Sequence, residues 1–61
     1  MQITLASGTI VEIKNLNLAA NAVDWRRING EYLGDCTSYI EITDLTTAEA
    51  IIKAALEAEG I

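Results

Sequence analysis

Residues 1–13, MQITLASGTIVEI, decide how this chain is to be read. Apolar and polar residues alternate on both sides of Ala6-Ser7-Gly8, which is the period of a half-buried strand. The segment is therefore expected to be a β-hairpin, with two candidate registers. A two-residue turn pairs Leu5 with Ile10 and scatters the apolar residues over both faces. A three-residue turn, with Gly8 left-handed, pairs Leu5 with Thr9 and Ile3 with Val11. This register gathers Met1, Ile3, Leu5, Val11 and Ile13 on one face. Gln2, Thr4 and Glu12 share the other face with Ile10. Burial of one face fixes register, so the three-residue turn is chosen.

The opposite end of the chain changes period. Thr46-Thr47-Ala48-Glu49 fits a capping box, in which hydroxyl and carboxylate satisfy each other's main-chain N–H groups. The spacing predicts a helix from about Thr47 to Glu59, stopped by a left-handed Gly60. Ala48, Ile51, Ile52, Ala55 and Leu56 form its core stripe. Glu49, Lys53 and Glu57 form a wet face of i,i+4 pairs of opposite charge.

The middle is less regular. In Lys14–Ala22, Leu16 and Leu18 alternate with Asn15 and Asn17 before an Ala-Ala-Asn-Ala stretch. It is read as an ordered loop pinned by the two leucines. Val23–Cys36 reads as a second hairpin around Asn29-Gly30, a strong turn pair. A type I′ turn there pairs Arg27 with Tyr32 and Trp25 with Gly34. A three-residue loop, Ile28-Asn29-Gly30, pairs Arg27 with Glu31 and Trp25 with Leu33. The second register is favoured, because it puts Val23, Trp25 and Leu33 on one face and opposite charges across the strands. Ser38–Thr43 is a short strand with Ile40 and Ile42 inward, Tyr39 and Glu41 outward. The sum is one α+β mini-domain over residues 1–61. It has a small antiparallel sheet, two hairpins plus one strand, with a single C-terminal helix packed on one face.

Composition bounds what such a domain does. The chain has 61 residues, nine carboxylates, four basic side chains and no histidine, for a net charge of −5. Nucleic-acid backbones are bound by a surplus of Lys and Arg, so no nucleic-acid partner is expected. A domain of about 60 residues buries only roughly 60% of its unfolded surface. Small domains commonly add a disulfide, a metal or a partner subunit. Cys36 is the only cysteine, so no intrachain disulfide forms, and without histidine or clustered thiols no zinc site is expected. Association with a second copy remains. Met1–Ile13 lacks the basic and apolar regions of a signal peptide, and no apolar run approaches the roughly 20 residues that span a bilayer. One unpaired thiol suits a reducing, cytoplasmic setting.

Two constellations are candidates for binding. Trp25, Arg26, Arg27, Tyr32 and Tyr39 hold all three aromatics and half the basic charge. These residue types are enriched at protein-binding hot spots, and an arginine beside an aromatic ring also suits a planar anion. In the favoured register Arg27 faces Glu31 and is structural, while Arg26 is free for recognition beside Tyr32. Ala50, Ala54 and Ala58 recur at four-residue spacing beside the helix core stripe. They widen the apolar arc beyond the 100° or slightly more that one sheet contact needs, and so offer a subunit contact. Cys36 has no histidine to act as its base and Asp35 beside it, so it is read as a small, half-buried residue. The dispersed carboxylates form no calcium loop and no catalytic pair in a cleft. The expected function is that of a non-catalytic binding or interaction module, acting as a homo-oligomer without cofactor or metal, such as a small inhibitor or accessory protein. The alternative is a protein that sequesters a small, nucleotide-like anion at a subunit interface.

Overall fold

A computed structural model describes residues 1–61. Four strands, β1 (Gln2–Thr4), β2 (Ile10–Asn17), β3 (Ala22–Arg27) and β4 (Asp35–Tyr39), precede a short 3₁₀ turn (Leu45–Thr47) that runs into helix α1 (Ala48–Ala58). The strands lie in the order β1-β2-β3-β4, each antiparallel to the next. The fold is α+β, an antiparallel meander with one C-terminal helix packed against it.

The first hairpin has the expected register. Ile3 pairs with Val11, Leu5 N–H donates to Thr9 O at 2.8 Å and Gly8 N–H to Leu5 O at 2.9 Å. Gly8 has φ +89°, a conformation that costs an L-residue roughly 1–2 kcal/mol. Ile3, Leu5 and Val11 are buried and Ile13 is half-buried, but Met1 is exposed.

Lys14–Ala22 is not a loop. β2 continues through Asn17, with a bulge between Ile13 and Asn15, and pairs Leu16 with Val23 and Asn17 with Ala22. Leu18–Asn21 is the turn, and Leu18 is exposed and pins nothing. Two asparagines make this turn without glycine. Asn17 Oδ1 accepts from Ala20 N–H at 3.1 Å, and Asn21 takes the left-handed conformation at φ +50°. Both roles use the short polar side chain of asparagine to replace or tolerate a turn geometry.

Neither register considered for the second hairpin occurs. Trp25 pairs with Cys36 and Arg26 with Asp35, so residues 28–34 form a longer connection and Leu33 is exposed in it. Asn29 is drawn away from a tight turn. Its Oδ1 accepts from Ile10 N–H at 2.8 Å and its Nδ2 donates to Gly8 O at 3.0 Å. Beside it Ile28 N–H donates to Ile10 O at 2.9 Å. The Asn29 side chain thus extends the β2–β3 ladder beyond the last strand residue. The sheet has four strands and not five, because the expected return strand ending at Cys36 and the separate strand Ser38–Thr43 are replaced by the single β4, Asp35–Tyr39. Ile40 is buried and Ile42 half-buried beyond it, with Tyr39 and Glu41 exposed, as the alternation predicts.

Ile52 and Leu56 are fully buried, flanked by buried Ala48 and by half-buried Ile51 and Ala55. Burying such a leucine or isoleucine contributes roughly 1.5–3 kcal/mol. The expected cap is corrected. Asp44, not Thr46, opens the helical segment, and its Oδ1 accepts from Thr46 N–H at 2.9 Å and from Thr46 Oγ1 at 2.7 Å. Thr47 stands at the start of α1 with no side-chain capping bond. At the other end Gly60 has φ +82°. Gly60 N–H donates to Glu57 O at 3.1 Å and Ile61 N–H to Leu56 O at 3.2 Å, the paired bonds of a Schellman stop. Ile61 packs back on the core. On the wet face Lys53 Nζ lies 4.0 Å from Glu57, whose Oε2 also accepts from Ala6 N–H at 2.7 Å. No helix is long and apolar enough to cross a membrane.

Candidate functional site

The strand alternation of β3 separates the candidate binding residues. Trp25 and Arg27 point to the face that the helix covers, and Arg26 points to the open face. Trp25 is only 2% exposed. Its Nε1 donates to Ser38 Oγ at 3.0 Å, and Ser38 Oγ donates to Glu59 Oε2 at 3.0 Å. The indole therefore belongs to the core and to a polar chain that ties β3, β4 and the end of α1 together.

Arg27 lies two residues further along the same face, with Cζ 5.1 Å from the centre of the Trp25 ring. A cation over an indole face is worth about 0.5–1 kcal/mol at a partly exposed site. Arg26 stands between two acidic neighbours, opposite Glu12 on β2 and Asp35 on β4. Its Nε lies 3.7 Å from Glu12 Oε1, an ion pair longer than a hydrogen bond, and Nε has no hydrogen-bond partner. The expected surroundings of the two arginines are thus exchanged. Arg26 is the arginine with acidic partners across the strands, and Arg27 is the one next to the loop. The cause is the pairing of Trp25 with Cys36, which leaves Glu31 and Tyr32 outside the ladder.

Tyr32 is 75% exposed in the connection between β3 and β4, next to Leu33 at 55%. Tyr32 and Arg27 share a shallow groove of about 360 Å³ with Ser7, Thr9, Asn29 and Glu31, between the first turn and the connection. The base of this connection is held by the Asn29 bonds to β2 and the first turn. Tyr39 is elsewhere, 80% exposed at the end of β4. The five candidates therefore do not form one site. Arg27 and Tyr32 line one groove, Trp25 underlies Arg27, and Arg26 and Tyr39 sit on the open face.

Ala50, Ala54 and Ala58 are all exposed along α1. Cys36 is a free, half-buried thiol, with Sγ 3.8 Å from Gly34 O. Asp44 is held below the ordinary carboxylate value of 3.8 by the hydrogen bond from the Thr46 hydroxyl, and next by that from the Thr46 N–H. This carboxylate serves the helix start and lies outside the groove.

Sequence reasoning missed Ser38, Glu59 and Asn29 as structural partners of this region. Ser38 and Glu59 carry no local signal, since their bonds depend on where the helix ends over the sheet. For Asn29 a signal was present and misassigned. An asparagine before glycine marks a turn, but its amide can also complete a neighbouring ladder. In comparisons with protein-family models, with curated proteins and with solved structures, nothing matches this chain.

Proposed function

We propose that this chain is a non-catalytic interaction module that acts as a homo-oligomer and presents the β3–β4 connection to another protein. The observation that carries this reading is the exposure of Tyr32 and Leu33 on a connection whose base is fixed. Loops held by a rigid scaffold are the usual carriers of recognition. Aromatic and arginine side chains supply hot-spot area and directional donors, and Arg27 stands beside Tyr32 in the groove. A net charge of −5 favours a protein partner over a nucleic acid. The unpaired Cys36 fits a reducing, cytoplasmic setting. Small size supports self-association, and the exposed Ala50, Ala54 and Ala58 row is one surface on which it can occur.

The test has two parts. Light scattering should give a mass above 6.6 kDa, and a mass of one chain at every concentration sinks the homo-oligomer reading. The Tyr32→Ala/Leu33→Ala double variant should lose capture of the host protein that the wild type retains, with an unchanged melting temperature. Equal capture by both sinks the role of the connection.

A second reading, sequestration of a small nucleotide-like anion, is favoured by one feature. The groove is lined by Arg27 together with Ser7 and Thr9, whose hydroxyls both bond Ile61 O. Glu31 on the same groove opposes it. Calorimetric titration with a nucleoside monophosphate separates the two readings, since only an anion site releases heat that Arg27→Ala removes.

A further inference from the structure

We propose that β4 is the contact through which two copies of this chain join, edge to edge, into one continuous antiparallel sheet. The proposal rests on the homo-oligomer reading and names its interface.

β4 is the last strand in the sheet order. Ile40 N–H donates to Asn21 O, and the register pairs Ser38 with Val23 and Cys36 with Trp25. In an antiparallel ladder hydrogen-bonded and non-bonded pairs alternate. The main-chain groups of Cys36, Ser38 and Ile40 therefore point to β3, and those of Asp35, Thr37 and Tyr39 point outward. No main-chain or side-chain group of the chain bonds these outward N–H and C=O groups. Folded proteins blunt such edges with proline, lysine, bulges or very short strands. The β1 edge spans three residues, and Glu57 takes the N–H of Ala6 just beyond it. β4 spans five residues with no proline, lysine or bulge, and Asp35 is its only charge.

The edge is complementary to itself in one register. A two-fold axis through Thr37 sets Thr37 opposite the partner's Thr37 and Asp35 opposite the partner's Tyr39. All outward residues then fall on hydrogen-bonding positions, and each pair exchanges both N–H···O bonds. No carboxylate faces a carboxylate. Sliding the copies toward Asp35 leaves Tyr39 unpaired and closes the two carboxylates on each other, which is unfavourable for like charges directly opposite. The chosen register also places the exposed Tyr39 ring beside the partner's Asp35. The axis stands perpendicular to the sheet, so both helices stay on one face. A contact of this length lies at the small end of specific interfaces, so the dimer should form in the micromolar-to-millimolar range.

Sedimentation of the wild-type chain against concentration, with Thr37→Lys and Ala54→Glu as variants, tests the interface. Thr37 is exposed on the open face, where it bonds Asp24 at 2.7 Å, so a lysine there keeps an attractive partner within the fold. Across the axis it meets the same charge on the second copy. Thr37→Lys should abolish the dimer, with its circular dichroism unchanged, and Ala54→Glu should leave it intact. If Ala54→Glu gives monomer and Thr37→Lys does not, the helix is the interface. The homo-oligomer reading then stands and the β4 proposal is overturned. A wild-type monomer at every concentration overturns both. Should Thr37→Lys fail to fold, amide exchange on the wild type decides. The amides of Asp35, Thr37 and Tyr39 should slow as the dimer forms, and equal exchange in monomer and dimer overturns the proposal.

Discussion

Trp25 Nε1 donates to Ser38 Oγ at 3.0 Å, a bond between residues 13 positions apart in the chain and on adjacent strands. Ser38 is the one buried polar residue in the protein. Its hydroxyl accepts from the indole and donates to Glu59, so one atom satisfies a buried N–H and links the sheet to the end of the helix.

Ser38→Ala leaves the indole N–H buried without an acceptor. An unsatisfied buried donor costs about 1–3 kcal/mol, and the urea midpoint should fall accordingly. Glu59→Gln keeps an acceptor for the Ser38 hydroxyl and should cost less. Equal losses for the two variants, or none for Ser38→Ala, would show that the indole N–H finds water instead.

Glycine substitutions should separate by backbone conformation. Gly60 is left-handed at φ +82°, whereas Gly34 is not, and both have open space where a Cβ would stand. Gly60→Ala should therefore lose roughly 1–2 kcal/mol through backbone strain alone. Gly34→Ala should be neutral or stabilising, by up to about 0.4–1 kcal/mol through the unfolded chain. Chemical denaturation of the two variants side by side checks this order.

Acid stability should carry the signature of Asp44. Its native pKa lies below the ordinary 3.8 because the Thr46 hydroxyl and N–H bond the charged form. Between the native and the unfolded value the unfolded chain binds more protons, so acidification favours unfolding. The stabilisation is complete above the unfolded value and disappears as pH falls through the native one. Asp44→Ala should be less stable at neutral pH and should show a shallower loss of stability on acidification below pH 3.8. Parallel curves for the two proteins would remove Asp44 from the acid transition.

The two arginines should separate recognition from stability. Arg26 pairs with Glu12 at 3.7 Å and stands opposite Asp35, and exposed ion pairs contribute about 0–1 kcal/mol. Arg26→Ala should shift the melting temperature slightly and leave partner binding intact. Arg27 shares the groove with Tyr32, so Arg27→Ala should weaken binding, with a stability loss limited to its contact with Trp25. Affinity measurements and melting curves on both variants decide the matter. Binding lost in Arg26→Ala instead would move recognition to the open face.

The amino-acid sequence by itself determined the parts of this fold that rest on local periodicity. The first hairpin, its three-residue turn, the core stripe of the helix and the Gly60 stop each follow from short-range alternation or from one backbone conformation. Burial of one face leaves such segments a single register. The tertiary structure alone decided the centre of the chain. Asn29-Gly30 is a strong turn pair in isolation, but the Asn29 amide bonds Ile10 and Gly8, which lie about twenty residues earlier. The connection that follows runs over residues 28–34, and Trp25 stands opposite Cys36. With that register come the exchanged surroundings of Arg26 and Arg27, the burial of Ser38 and the outward groups of Asp35, Thr37 and Tyr39. Local propensity cannot weigh a side-chain bond made across the fold, because its worth depends on which strand lies beside it.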